Sequence, residues 1–361
     1  MYLVAFLLFI IPLVVFPYSF FAYETPKVIL TQIAIEMLLV FTIIKKRSEL
    51  ISCLKSRRII PYLLIAVLSI FHLIFTRTNH TFWGNLYRHQ GIFLLWHLLT
   101  LGIIAPLFKG RIPKIIPITC IIILVYSAFM LGPDQNHRFI GTLGEPNALA
   151  AAAIFIWPFI FFPQNTNLYI KLSAASIALL IIIISQSKSG LIAFSLQLTF
   201  LFLLQKTSFK KALIFSLLFL TVSLSLPYGQ KDLQYQNRFR VWKTAIVGGF
   251  FNPLTGSGFG NIEETINRAS LLLNNSLTAE RVDSAHNLFL DWFIQGGIPG
   301  IAIITYLITK TFQNLVIKKL LLEIVLLLGV LTVMLFNPSS IATLIAFWWI
   351  VGRGLKLKSP S

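Results

Sequence analysis

The chain is short of charge and, above all, short of acid. Of its 361 residues only 12% are charged, with 12 Asp and Glu against 30 Lys and Arg. Soluble domains carry about 25% charged residues, so a soluble globular enzyme and a disordered tail are both excluded. Cysteine is nearly absent. Cys53 and Cys120 are too few for a disulfide scaffold or a CxxC-type metal site, and Cys120, inside an apolar run, reads as a packing residue. The glycines at 256, 258 and 260 follow no strand, so they read as a turn and not as a dinucleotide fingerprint. A net charge of +18 would point to nucleic acid in a soluble protein. With 57% hydrophobic residues, this chain belongs in lipid instead, and no nucleic acid is expected.

What the sequence has in quantity is long apolar runs. A bilayer core of about 30 Å takes about 20 apolar residues in a helix. Twelve runs qualify: 2–22, 26–44, 59–76, 91–108, 115–132, 147–163, 168–184, 190–205, 211–227, 288–308, 320–336 and 339–352. The first has no basic leader and carries Pro12 and Pro17, so it reads as a retained helix and not a signal peptide. With the N-terminus placed inside, the even-numbered loops and the C-terminus hold 19 basic residues against Glu49 alone, while the outer side holds 11 basic residues and nine acids. This is the positive-inside bias, and it puts both termini in the cytoplasm. The expected fold is a single integral membrane domain over 1–361, all-α and polytopic, with about 12 transmembrane helices.

One outer loop is far longer than the rest. Residues 228–287 separate the ninth and tenth runs, and a loop of that length is usually functional or disordered. Phe239, Trp242, Ala245, Ile246 and Phe250 share one helical face, as do Ile262, Ile266, Ala269 and Leu273. Both stretches read as short amphipathic helices lying on the membrane surface or capping a cavity, separated by a break at Asn252-Pro253 and the three glycines. Several cations fall on the outer side, where topology disfavours them: Arg77, Arg88, Arg138, Lys188, Arg238, Arg240 and Lys243. Pairing with outer acids is the plain explanation for any one of them. As a cluster they point to an anion site.

The residues then resemble a known superfamily, the bacterial O-antigen ligases and O-antigen polymerases. Four pieces occur in order: Gly141-Thr-Leu-Gly-Glu-Pro-Asn147-Ala; Ser187-Lys188-Ser189-Gly190, with Lys where the family usually has Arg; Arg238-Phe-Arg-Val-Trp242 followed by Asn252-Pro-Leu-Thr-Gly256-Ser-Gly258-Phe-Gly260; and Ala285-His286-Asn287 running to Gly297-Ile-Pro-Gly300. Arg88-His-Gln-Gly91 is similar to a further family element, and the likeness spans about residues 80–300. The resemblance implies a C-type glycosyltransferase fold with one long extracytoplasmic loop. It implies transfer of a glycan from undecaprenyl diphosphate to an acceptor hydroxyl at the outer face of the inner membrane, without metal or cofactor.

A diphosphate leaving group gathers charge that fixed cations stabilise, which assigns Lys188 and Arg238 to it, with Arg240 in reserve. An acceptor hydroxyl needs a base, and His286 is the candidate; a histidine merely capping the tenth helix is the alternative. Asn287 could orient the ring or the sugar, or simply N-cap that helix. Arg88, Asn147 and Tyr87 could line the substrate path. Asp283 and Asp291 flank His286, but spacing shows no contact. Glu36, mid-helix, has no partner legible in sequence, and His72 and His97 read as packed or interfacial. The acceptor could be a glycan, a lipid or a lipid A-core. A flippase for the same lipid-linked glycan and a protein O-oligosaccharyltransferase are the competing functions.

Overall fold

A computed structural model describes all residues except 18–20, 77, 109, 164, 209–210, 213, 217, 219–232, 276, 278–281 and 356–361, and, for side chains, also 79, 205–206 and 233–236. Among the described residues there is no strand, only an isolated bridge between Pro133 and Phe139. The helices are α1 (Tyr2–Leu13), α2 (Glu24–Lys45), α3 (Ile60–Phe75), α4 (Ile92–Ile104), α5 (Ile115–Leu131), α6 (Pro146–Phe161), α7 (Leu168–Ile184), α8 (Lys188–Lys206), α9 (Leu233–Gly249), α10 (Ile262–Leu272), α11 (Leu288–Ile317), α12 (Leu321–Met334) and α13 (Ile341–Gly354). The spans Glu24–Lys45, Arg57–Phe75 and Leu288–Ile317 are long and apolar enough to cross a membrane; eight further apolar helices have 10–17 residues. The run at 211–227 lies mostly outside the described residues. The first run is shorter than expected. Pro12 removes a helical N–H, and the chain is already extended at Val14, with ψ 134°.

Burial divides the helices into two sets. Residues Ala148 to Pro158 of α6 are buried without a break, and α12 and α13 are buried nearly all round, as a helix at the centre of a bundle must be. Gln197 of α8 ties this centre together: it accepts from Trp157 Nε1 at 2.8 Å and donates to the Val325 carbonyl at 2.9 Å, so a fully buried amide is satisfied across three helices. The outer helices expose large apolar side chains, including Leu63, Val67, Ile70 and Ile74 on α3 and Ile122, Phe129 and Met130 on α5. Contiguous apolar surface of this extent fits a lipid environment.

The segment ahead of α11 has a small core of its own, where Val241, Ala245, Ile262, Ile266, Leu277, Val282 and Ala285 pack with Ile294 of α11. On α9 the residues expected to share one apolar face divide between outside and inside. Phe239, Ile246 and Phe250 are exposed, and the buried face is Val241, Thr244, Ala245 and Gly248. Small residues win that face because α10 comes close: a Cβ on Gly248 would lie 3.0 Å from Thr265 Cγ2.

Helix α11 is broken at Gly297, where φ is 61° and ψ −155°. The glycine-rich turn fills the break. Ser257 N donates to the Ile294 carbonyl at 2.7 Å and Gly258 N to the Gln295 carbonyl at 3.1 Å, while Ile298 N donates to the Pro253 carbonyl at 2.8 Å. Backbone freed inside a membrane protein must find such partners. Glycine is required on both sides, since a Cβ at Gly256 would sit 2.2 Å from the Gln295 oxygen and one at Gly297 2.5 Å from the Pro253 oxygen. Two of the four motifs therefore meet as one joint, which sets the direction of α11 leading away from His286.

The two ends of the bundle differ. At one end basic side chains cap the carboxyl ends of helices: Lys46 donates to the Leu107 carbonyl, Arg58 to Leu355 at 2.6 Å and Arg353 to Phe108 at 3.0 Å. Cations suit that end of the helix dipole. The starts of α4 and α13 lie at the other end, with every candidate site residue.

Candidate active site

Each motif places its side chains through ordinary local rules. Gly144 ends a short turn in the left-handed region, Glu145 is extended, and Pro146 opens α6, the position where proline is favoured. Ser187 caps α8, its Oγ accepting from Gly190 N at 3.2 Å. Lys188 is then the first residue of α8 and is exposed, a positive charge at the positive end of a helix dipole. Local stability does not ask for a lysine there.

Two polar groups assemble from these pieces. The first is a continuous chain of neutral side chains between two arginines. Arg138 Nη2 donates to Asn147 Oδ1 at 3.1 Å, and Ser187 Oγ donates to the same oxygen at 2.9 Å. Ser187 and Ser189 hydroxyls lie 3.2 Å apart, Asn337 Nδ2 donates to Ser189 Oγ, and Arg238 Nη2 donates to Asn337 Oδ1 at 3.1 Å. Arg238 has no carboxylate within salt-bridge distance among the described residues. Burial, and then the charge of Arg138, hold its pKa below the usual arginine range, but a guanidinium remains charged.

The second group is built on Arg88, which is 5% exposed. Its Nε donates to Asp283 Oδ2 at 2.6 Å and its Nη2 to Glu145 Oε1 at 2.9 Å. Burial opposes the charge, but the two carboxylates outweigh it and hold the pKa above the usual range. Tyr87 also donates to Glu145 Oε1, and its ring lies 5.3 Å from the Arg88 guanidinium carbon. Behind them Glu24 accepts from Ile341 N at 3.2 Å, and Lys27 donates to the Thr142 carbonyl at 2.8 Å.

His286 stands between the two groups. Its backbone is left-handed, with φ 54°, uncommon for this residue and a marker of a constrained site. The constraint is visible. Asp291 accepts from Ser284 Oγ at 2.8 Å and Ala285 N at 2.6 Å, and Ser284 Oγ accepts from His286 N at 3.0 Å. Nδ1 of the ring is buried without a hydrogen bond, which leaves Nε2 as the accessible nitrogen. Burial pushes the His286 pKa down to about 4, with Arg238 and Arg88 adding to the shift and Asp283 opposing it. The imidazole is therefore neutral at pH 7 and able to take a proton.

The remaining expected residues are placed less directly. Arg240 donates to Asn237 at 2.8 Å, a residue of its own helix. Asn287 N-caps α11, accepting from Phe289 N at 3.0 Å and Leu290 N at 3.2 Å while donating to the Leu335 carbonyl at 3.1 Å, so the plainer of its two readings is the one seen. Asn147 Oδ1 and Arg88 Nε and Nη2 bond within the protein, while Arg88 Nη1 is buried without a partner. Sequence reasoning missed Asn337, whose only signal is an Asn-Pro break between α12 and α13, and the pairing of Glu145 with Asp283 across Arg88. Among the described residues no cluster of three metal-ligating side chains occurs.

Residues 173–305 match the family model described as O-antigen ligase. That match supports the O-antigen ligase superfamily. The matched segment runs from α7 into α11 and contains Lys188, Arg238, Arg240, His286 and Asn287, whereas Arg88, Asn147 and Asn337 lie outside it. No curated protein sequence matches the chain. With its apolar helices, the O-antigen ligase segment supports a membrane enzyme of glycosyltransferase-like type.

Proposed function

We propose that the chain is a membrane glycosyltransferase that moves a glycan from undecaprenyl diphosphate to an acceptor hydroxyl at the outer face of the inner membrane, with both termini cytoplasmic. The acceptor oxygen attacks the anomeric carbon and its proton passes to His286 Nε2. The bond between the anomeric carbon and the diphosphate oxygen breaks, and the electron pair leaves on the diphosphate. Arg238 and Lys188 meet that growing charge, with Arg240 nearby on α9. In a site of low dielectric such preplaced cations act more strongly than in water. Arg88, Asn147 and Asn287 serve by holding the loops that carry these groups.

The observation that supports this reading best is the pairing of a neutral histidine, with one accessible nitrogen, and an arginine that no carboxylate among the described residues neutralises. A general base and an anion site side by side are what this group transfer needs. The test is transfer by the purified protein in detergent, given a defined undecaprenyl-diphosphate glycan and a panel of glycan, lipid A-core and peptide acceptors. Glycosylated acceptor with release of undecaprenyl diphosphate is expected. Absence of transfer to every acceptor, together with donor translocation in vesicles, would replace this reading with a flippase.

A further inference from the structure

We propose that Arg138 is a further diphosphate-binding residue beside Arg238 and Lys188, paired with Arg238 across the Asn147–Ser187–Ser189–Asn337 chain so that each guanidinium takes one phosphate of the lipid diphosphate. The inference rests on the donor reading above and extends it to a residue outside the O-antigen ligase segment.

Arg138 is held with unusual care for a loop residue. Asp134 Oδ1 accepts both Asn136 N at 2.8 Å and Arg138 N at 2.9 Å, fixing the turn that presents the side chain. The guanidinium is then fixed on two sides, with Nε donating to the Ser185 carbonyl at 3.1 Å and Nη2 to Asn147 Oδ1 at 3.1 Å. Its Nη1 makes no hydrogen bond among the described residues and is not sealed from solvent. Arg238 matches it at the far end of the chain, with Nη2 on Asn337 and its other nitrogens open.

The charge balance gives the reason. Asp134 lies near enough for its charge to favour that of Arg138, but its bonding oxygen is taken by backbone amides, and no carboxylate lies within salt-bridge distance of Arg138 or Arg238 among the described residues. The positive field of Arg138 reaches Arg238, and Lys188 adds a third positive charge at the same end. Packing alone would be served by carboxylates held against Arg138 and Arg238 as they are held against Arg88, and among the described residues none is within salt-bridge distance of either. An anion with two phosphates completes the balance, and its phosphates suit two forks of donors held apart by a rigid neutral spacer. The plainer role, a clamp between the end of α7 and the start of α6, uses only two of the five donors.

The experiment measures binding of farnesyl diphosphate, farnesyl monophosphate and farnesol to the purified full chain in detergent. Wild type, Arg138→Met, Arg138→Lys and Arg238→Met are compared after thermal unfolding confirms each fold. Loss of one charge-assisted contact predicts about tenfold weaker diphosphate binding by Arg138→Met, with monophosphate binding changed far less, since Arg238 still holds a single phosphate. Arg138→Lys keeps the charge but not the fork, so its diphosphate affinity is expected to fall between those of wild type and Arg138→Met. If Arg138 is only a clamp, Met and Lys weaken monophosphate and diphosphate binding alike, because neither bridges Ser185 and Asn147. That result overturns the proposal, as does diphosphate binding by Arg138→Met within about twofold of wild type while Arg238→Met loses it. Failure of the wild type to bind any prenyl diphosphate would overturn the donor reading and this proposal together.

Discussion

Arg88 and Arg238 sit at the same end of the bundle and both come from motif-like stretches, yet they are balanced in opposite ways. Arg88 is enclosed by Asp283 and Glu145. Among the described residues Arg238 meets the neutral oxygen of Asn337 and the field of another arginine, with no carboxylate in salt-bridge distance. A cation whose counter-charges are built into the protein holds loops together. A cation left without them is available to a ligand. Charge alone does not distinguish them; the partners do.

The comparison is broken or upheld most directly by the two single substitutions. Arg88→Met leaves two partly buried carboxylates unpaired and is expected to cost about 3–5 kcal/mol of stability, seen as a large fall in the thermal midpoint. Arg238→Met is expected to leave the midpoint nearly unchanged and to lower transfer per folded protein by about 100- to 1000-fold. Equal losses of stability in both would erase the distinction. Asn337→Asp sharpens it from the other side by giving Arg238 a carboxylate of its own. Transfer should then fall about tenfold or more without loss of fold, because the charge offered to the donor is neutralised in place. Unchanged transfer in that variant would mean that the Arg238 charge is not used.

A smaller effect is expected from neutralising the whole of the other group. Arg88→Met combined with Glu145→Gln and Asp283→Asn should regain a good part of the stability that Arg88→Met loses, because no buried charge is then left alone. Thermal unfolding of the single and triple variants checks this.

The smallest effect lies in the pH profile. The base works when deprotonated, so the acid limb of kcat/KM follows the His286 pKa, which burial and Arg238 hold near 4. Removing Arg238 should move the limb to higher pH, and Asp283→Asn should move it to lower pH, by up to about one unit each. The same shift bears on stability. The folded imidazole resists protonation while the unfolded one titrates near 6.5, so His286 destabilises the fold progressively as pH falls from about 6.5 towards 4. His286→Gln should flatten that part of the thermal stability profile.

Much of this was legible in the sequence, and the limits have physical causes. Apolar runs need only composition, so the helices of the bundle fall where the runs are, apart from 211–227, which lies outside the described residues, and the early stop that Pro12 brings to α1. Caps need only neighbours, so Ser187, Pro146 and Asn287 could be read locally. The partners of the cations could not. Arg238 meets Asn337 99 residues away, and Arg88 meets Asp283 195 residues away. Glu36, without a visible partner in sequence, bonds His97 at 3.1 Å across two helices. The glycines of the long outer segment read correctly as a turn, but their purpose depends on the break at Gly297, which no spacing rule connects to them. On α9 the spacing marks the large apolar side chains but not the face packed on α10, where close helix contact selected Gly248 and Ala245.

The central claim is that His286 is the base in transfer from a lipid diphosphate. Its most direct test is release of undecaprenyl diphosphate by purified wild type and His286→Ala at saturating donor and acceptor, with donor binding measured on the same samples. The account predicts one undecaprenyl diphosphate released per acceptor glycosylated by wild type. It predicts a loss of about 100-fold or more in His286→Ala with donor binding retained. Release by His286→Ala within about twofold of wild type would contradict it.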